Sequence, residues 1–250
     1  MINILLSGCN GKMGRVITSI LEKDGASQIV CGYDINTAAD GYPVYDDLSK
    51  VTQKIDVVVD FSNPACIEKI VEFCGDRRIP LVEATTGLSN DQIEKVMALS
   101  KRVPVFSSAN MSVGVNLLIS MVKKAAAVLE GNFDIEIIEK HHNQKIDAPS
   151  GTALMIADEI SSSLKGEVDY VYDRHCMRKK RESNEIGIHA VRGGTIVGEH
   201  SVIFAGNDEI IEVKHTAMGK EVFAVGAIKA AKFLAGKQPG LYNMEDLVNS

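Results

Sequence analysis

The sequence predicts an α/β protein: a doubly wound parallel sheet, with an α+β segment carrying a mixed sheet inserted before the last helix. Three observations predict it. Over the first hundred residues, short runs that are apolar throughout alternate with amphipathic stretches. A glycine-rich turn, Gly8-Cys9-Asn10-Gly11-Lys12-Met13-Gly14, follows the first of these runs directly. From Glu185 onward the pattern changes to polar–apolar alternation punctuated by Gly-Gly and Gly-Asn turns.

Residues 2–6, 29–33, 57–61, 81–84 and 103–106 read as strands. They are apolar on both faces, as strands covered by helices on both sides must be. Between them, 15–23, 64–74 and 90–100 repeat their apolar positions at helical spacing. This alternation is the Rossmann-like pattern. Past Asn110 the reading becomes a long apolar helix over 115–129, a strand over 133–139 and a helix over 153–164. Strands at 186–192, 198–205 and 209–215 alternate polar and apolar residues, so one face of their sheet is covered. Helix 222–234 then returns to the first domain, and a polar tail closes the chain. The expected division is 1–111 with 219–250 as a dinucleotide-binding domain, and 112–218 as a second, substrate-binding domain.

Bulk composition narrows the function classes. A chain of 250 residues that is 45% hydrophobic can bury one large core or two modest ones. The net charge of -6 argues against a nucleic-acid binder. The dense basic run Arg178-Lys179-Lys180-Arg181 reads as a solvated loop. Five cysteines without a CxxC pair fit a reducing cytoplasm and argue against a disulfide framework. No stretch reaches the roughly 18 apolar residues of a membrane span, and the amino terminus enters a strand without a basic leader. The expectation is a cytoplasmic protein with neither nucleic-acid nor membrane partners.

In the turn Gly8-x-x-Gly11-x-x-Gly14, the glycines permit close approach of backbone to a pyrophosphate, and the following helix start offers N–H groups and a partial positive charge. Asp34 lies twenty residues after Gly14, at the end of the second strand, where a carboxylate can accept both ribose hydroxyls of an adenosine. It favours NADH, because a 2′-phosphate would meet its charge. Lys12 can offset that repulsion and keeps NADPH open. Thr85-Thr86-Gly87 and Ser108-Ala109-Asn110-Met111 follow strands at their carboxyl ends, where such sheets bind ligands. They read equally well as cofactor contacts or as turn chemistry.

The run Glu139-Lys140-His141-His142-Asn143-Gln144-Lys145-Ile146-Asp147-Ala148-Pro149-Ser150-Gly151-Thr152 concentrates polar chemistry in fourteen residues. Each of those groups would need its own partner in a purely structural interior. A histidine can donate a proton near neutrality. Lys145 can reach His141 if the segment turns, and Ser150 suits a helix N-cap whose following N–H groups form an anion pocket. A metal at the His-His pair is disfavoured, because strand neighbours point to opposite faces and no third ligand stands at useful spacing. His175, His189, His200 and His215 read as structural. On these residues alone, a non-catalytic NAD-sensing module and another NAD-dependent dehydrogenase of aspartate-derived metabolites remain alternatives to a reductase.

The chain resembles the 4-hydroxy-tetrahydrodipicolinate (dihydrodipicolinate) reductase family over essentially its whole length. The resemblance rests on Gly8–Gly14, Asp60-Phe61-Ser62, Thr85-Thr86-Gly87, 109–116, 136–152, Val197-Gly198-Glu199-His200 and the stretch from His215. It implies NAD(P)H-dependent reduction of a heterocyclic dicarboxylate, with loss of water, in diaminopimelate and lysine biosynthesis. It places the proton donor on His141 and its assisting donor on Lys145. Substrate contacts fall on His142, Gly151 and Thr152, with Ser150 beside them. Cofactor contacts fall on Gly8, Cys9, Asn10, Gly11, Lys12, Met13, Asp34, Ala84, Thr85, Thr86, Ser108, Ala109, Asn110 and Met111. It also implies a homotetramer assembled through the sheets of the second domain. Three positions differ from the family pattern: Asp34 followed by Ile35, where many members carry Glu and some then Arg; Met111, where Phe is common; and Lys220, where a bidentate Arg is expected.

Overall fold

The computed structural model describes residues 1–38 and 41–250. The chain divides into two compact units, Met1–Val113 with Lys220–Ser250, and Gly114–Gly219.

The first unit is a seven-stranded parallel sheet. Its strands are β1 (Ile2–Ser7), β2 (Ser27–Tyr33), β3 (Val44–Tyr45), β4 (Val57–Asp60), β5 (Leu81–Glu83), β6 (Pro104–Ser107) and β12 (Gly240–Tyr242), in the order β12-β6-β5-β4-β1-β2-β3. Period-two alternation divides the side chains between two cores. Ile4, Leu6, Val57, Val59, Val82 and Phe106 face α1 (Lys12–Leu21) and α6 (Glu221–Leu234). Leu5, Cys31, Val58, Leu81 and Val105 face α2 (Ile67–Arg77) and α3 (Asn90–Ser100). The start of α3 is fixed by a capping box between Ser89 and Gln92. The doubly wound sheet is the one read from the sequence.

Several boundaries differ for identifiable reasons. The first helix begins at Lys12 rather than at residue 15, because Gly11 is its N-cap and the turn feeds it at once. Residues 64–66 form a 3₁₀ turn before α2, with Asn63 capping it and Pro64 at its first position. The expected polar tail instead adds β12 beside β6 and a short α7 (Met244–Val248). Strands of two or three residues, β3 and β12 here, are too short for periodicity to reveal.

The second unit is a five-stranded mixed sheet in the order β11-β10-β7-β9-β8. It is built from β7 (Asp134–His141), β8 (Asp169–Val171), β9 (Glu185–Arg192), β10 (Gly198–Ala205) and β11 (Ile210–Ala217). β7 runs parallel to β9 and antiparallel to β10. α4 (Val113–Leu129) and α5 (Gly151–Ser163) belong to one core with Ile135, Ile137, Ile186, Ile188, Val202 and Phe204. α5 buries Ala153, Ile156, Ala157 and Ile160, the i, i+3, i+4, i+7 stripe of an amphipathic helix.

The basic run is a correction. Arg181 is not solvated: its guanidinium donates to Glu136 (3.1 Å), Asp134 (2.8 Å) and the Ile135 carbonyl (3.1 Å). Lys179 pairs with Glu182 and Glu185. Glu136 also accepts from His189 at 2.7 Å. Gly187 makes room for this carboxylate, since a Cβ there would stand 1.7 Å from Glu136 Oε2.

Candidate active site

The end of β7 carries the densest chemistry of the second unit. Alternation places Glu139 in line with the core residues Ile135 and Ile137, so its carboxylate enters the interior and is fully buried. A buried anion persists only if paired and hydrogen-bonded. Arg192, two residues beyond its register partner Ala190 on β9, meets it with both terminal guanidinium nitrogens at 2.7 and 2.6 Å. The Ser150 N–H donates to its Oε1 at 2.9 Å, and His141 Nδ1 lies 2.6 Å from its Oε2. Burial opposes ionisation of Glu139, but the bonds from Arg192, His141 and Ser150 outweigh it and hold the carboxyl below its usual range.

These contacts define His141. A carboxylate only accepts, so His141 donates through Nδ1–H, and Nε2 is left as the nitrogen that can exchange a proton. Nε2 stands beside Gly198 of β10, where a Cβ would approach it to 3.2 Å. The His141 ring packs edge-on against His200, with centroids 5.2 Å apart.

His200, read as structural from the sequence, stands beside this group. It pairs with Glu139 across β10–β7, is 5% exposed, and its Nε2 lies 3.0 Å from Ser150 Oγ. Burial, then the neighbouring His141, push its pKa down to about 4, so it is a neutral imidazole at physiological pH. Ser150 is the N-cap expected of it: its side chain accepts from Ala153 N–H at 3.1 Å. Gly151 and Thr152 open α5, the first exposed and the second half-buried, at the electropositive helix start.

The intervening loop turns as anticipated, with Lys145 N–H donating to the His142 carbonyl at 3.1 Å. The Lys145 ammonium, however, pairs with Asp147 at 2.9 Å and not with His141. His142 Nδ1 is buried without a hydrogen-bond partner among the described residues. Sequence reasoning assigned Glu139 no role beyond opening the polar run, named His200 only as structural, and left Arg192 unmarked. The alternation along β7 was the one signal that could have found Glu139.

In the first unit, Gly8 adopts φ +75, and a Cβ on it would stand 2.4 Å from the Phe61 carbonyl oxygen. A Cβ on Gly14 would meet the Gly8 and Cys9 carbonyl oxygens at 2.3 and 2.4 Å. These two glycines are demanded by the fold itself. Gly11 is less crowded: a Cβ there would meet one neighbour, Gly8 O, at a tight 3.1 Å, and no side chain caps the helix it begins. A turn bare of side chains with uncapped N–H groups is that of an anion cradle.

Asp34 braces this loop, accepting from Asn10 N–H and Asn36 N–H at 3.0 Å each. Asn10 Nδ2 donates to the Asn36 and Ala38 carbonyls. A cavity of about 420 Å³ adjoins it, lined by residues that include Asn10, Arg15 and Tyr42.

Other expected contact residues are committed inward. The Cys9 thiol is buried against Gly32, and burial followed by the Asp34 charge pushes its pKa up to about 11. Thr85 Oγ1 donates to Asp60 at 2.9 Å, whereas Thr86 is exposed. Met13 is half-buried and Ala84 likewise, both packing on the first core. Met111 is 4% exposed in that core, and its carbonyl oxygen closely faces Gly226 of α6. Lys12 and Ala109 are exposed, and Ser108 Oγ donates to the Asn110 carbonyl at 3.0 Å. Among the described residues no group of His, Cys, Asp and Glu is arranged to hold a metal ion.

Comparison with known proteins matches both units. The family model described as dihydrodipicolinate reductase, N-terminus, covers residues 2–111, and that of the C-terminus covers 114–248. A curated relative from Caldanaerobacter subterraneus subsp. tengcongensis, named 4-hydroxy-tetrahydrodipicolinate reductase, is 56% identical over 99% of this chain and 98% of its own. A relative of the same name from Clostridium novyi is 49% identical over 100% and 99%. Among solved structures, the dipicolinate-bound dihydrodipicolinate reductase from Paenisporosarcina sp. TG-14 superposes with TM-score 0.82 at 25% identity, covering 100% of this chain and 99% of that one. A probable dehydrogenase from Thermotoga maritima, at 11% identity and TM-score 0.63, shares the fold.

Proposed function

The chain belongs to the dihydrodipicolinate reductase family, and from that premise we propose that it reduces 4-hydroxy-tetrahydrodipicolinate to tetrahydrodipicolinate with NAD(P)H, releasing water, in diaminopimelate and lysine biosynthesis. The observation that carries the chemistry is the Glu139–His141 pair, which fixes an imidazole with one bonded and one transferable nitrogen at the start of α5.

The cofactor supplies the hydride when bound. The residues fit it: Gly8, Gly11 and Gly14 leave an open turn before an uncapped helix, and Asp34 stands ready for ribose hydroxyls with both oxygens anchored by backbone N–H groups. Lone pairs remain on that carboxylate to accept from the ribose. Asp34 disfavours a 2′-phosphate, so NADH is the better donor. Lys12 and Arg15, exposed on α1, supply positive charge that keeps NADPH usable.

On the second unit, His141 protonates the ring as hydride arrives, and Lys145 assists as a nearby cation. His142, Gly151 and Thr152 hold the substrate carboxylates, with the dipole of α5 adding to their attraction; Ser150, expected among them, is committed to capping α5 and to Glu139. The dipicolinate carried by the Paenisporosarcina relative is a planar dicarboxylate of the kind this site would take.

Reduced-nicotinamide absorbance, with substrate generated in situ by the preceding synthase from pyruvate and aspartate semialdehyde, tests the assignment. Oxidation that depends on the synthase is the expected result, with the larger kcat/KM for NADH. Folded protein that binds NADH yet oxidises neither cofactor would overturn the reductase reading.

Self-association is part of the same proposal. The face of the mixed sheet opposite its core carries Glu136, Ile138, Lys140, His189, Val191 and Ile203, and the edge strand β11 exposes Ile210 and Ile211. An uncovered sheet face and a bare edge are surfaces that proteins usually close. Light scattering should return the mass of a tetramer, and a monomer mass at micromolar concentration would refute this assembly. Among the described residues no helix is long and apolar enough to cross a membrane, and a cytoplasmic location fits this chemistry.

A further inference from the structure

The carboxyl ends of the central parallel strands carry a polar row that neither site uses outright. Tyr33, Ser7, Asp60, Glu83 and Ser107 are successive register partners across β2, β1, β4, β5 and β6. Each continues the alternation of Cys31, Leu5, Val58, Leu81 and Val105, so the row closes the end of the core shared with α2 and α3. Asp60 is fully buried and Glu83 is 5% exposed. Neighbouring strands stand about 4.8 Å apart, so two carboxyl groups lie side by side in the interior.

Neither has a cationic partner among the described residues. Asp60 accepts from Ser62 N–H (3.1 Å), Ser62 Oγ (2.6 Å) and Thr85 Oγ1 (2.9 Å). Glu83 accepts from Thr85 N–H (2.7 Å) and Ser107 Oγ (3.0 Å). Ser7 is fully buried beside them, and its hydroxyl faces the Asp60 carboxyl. The ionisable groups that face the pair are Tyr33 on β2 and Cys74 on α2, both kept neutral by burial, while α3 presents Val96 and Leu99.

We propose that Asp60 and Glu83 are positioning residues of the cofactor site that share one proton, and that losing this proton weakens dinucleotide binding. The proposal rests on the reading that the loops after β5 and β6 hold the cofactor. The two carboxyls fasten those loops to each other and to the loop after β4, through Thr85, Ser107 and Ser62. Two adjacent buried carboxyls without a cation resist double ionisation, so one proton stays with the pair at and below neutrality. Burial first, with the Asp60 charge adding to it, pushes Glu83 up to about 7, and burial raises Asp60 as well. Above neutrality a second negative charge appears beneath loops that must receive an anionic ligand. Bound dinucleotide therefore favours the protonated pair, and binding takes up a proton.

The stability of the free protein follows the same sign. The folded pKa of Glu83 lies above its ordinary 4.5, so its contribution is present below that value and lost as pH rises through about 7.

The test uses the intact protein and Glu83→Gln, which imitates the protonated acid: its carbonyl accepts from Thr85 N–H and its amide donates to Ser107 Oγ. Wild-type Kd for NADH, read by nicotinamide fluorescence, should rise about tenfold between about pH 6 and about pH 8.5, a shift of one pKa unit on binding. The variant should stay near the low-pH value throughout. The variant should also melt above wild type at the higher pH, the two converging towards pH 4.5. Superimposable pH profiles, with a melting difference that does not change with pH, overturn the proposal. If Glu83→Gln does not fold, calorimetry of NADH binding to wild type in buffers of different ionisation heat decides, since absence of proton uptake near neutrality refutes the shared proton. Should neither protein bind NADH at any pH, the cofactor reading of the first unit fails, and the melting comparison alone judges the carboxylate pair.

Discussion

Replacing His141 by alanine is expected to lower kcat by about 10²–10⁴-fold, the usual contribution of general acid–base catalysis, with little change in KM. The expectation follows from the unshared nitrogen. Nδ1 is committed to Glu139 at 2.6 Å, so every proton that this ring delivers must leave from Nε2. Alanine removes that donor without disturbing the glycine turn, which lies on the other unit. NADH binding to the variant, followed by fluorescence, should therefore match wild type, and this separates loss of chemistry from loss of fold. Lys145→Ala should also lower kcat, by less, because its ammonium is shared with Asp147 and acts as a charge near the site. A loss smaller than threefold at His141 would remove it from the reaction, whatever the behaviour of Lys145.

What could be read in the sequence divides by range. Period-two and helical patterns are local, and they yield the doubly wound sheet, the inserted mixed sheet and the Ser150 N-cap. The glycine turn was legible for the same reason, although Gly8 and Gly14 turn out to be required by backbone packing and Gly11 is the least crowded of the three. Cross-strand partners are not local. Arg192 lies 53 residues from Glu139, and His200 lies 50 from Ser150. Only the register of β7 against β9 and β10 brings them together. Sequence spacing was equally silent on side-chain direction. It marked Cys9, Thr85 and Met111 as contact positions, but their side chains point inward, so any ligand contact there falls to backbone. The same limit explains Lys145, whose nearest acid by sequence, Asp147, took the partner that the spacing had assigned to His141. The buried row of Asp60 and Glu83 escaped notice because each, alone, looks like the polar residue that ends a parallel strand.

Glu139→Gln should be the second most damaging change, and it should act on stability and activity together. Glu139 accepts two bonds from Arg192, one from His141 and one from Ser150 N–H, so both of its oxygens are fully used. A glutamine of the same shape presents one oxygen and one NH₂ group, and the NH₂ must face donors on one side or the other. At the Oε1 position it opposes the Ser150 N–H and one Arg192 nitrogen; at the Oε2 position it opposes the other Arg192 nitrogen and removes the acceptor that fixes the His141 tautomer; either way the guanidinium loses its counter-ion. Breaking a buried ion pair costs about 3–5 kcal/mol. The lower end is expected here, because Arg192 keeps its bond to the Asp147 carbonyl and partial access to solvent. The loss of kcat should reach at least about tenfold, as when an outer partner that orients a working imidazole is removed. The pH dependence gives the sharper discrimination. The Glu139 carboxyl is held below its ordinary 4.5, so the stability it contributes is present above that value and lost as pH falls through the lowered one. The wild-type advantage in melting temperature over Glu139→Gln should be full at neutral pH and shrink progressively below about pH 4.5. A difference that stays constant into that acid range would mean that the glutamine harms packing only, and that the charge of Glu139 does not hold His141 in place.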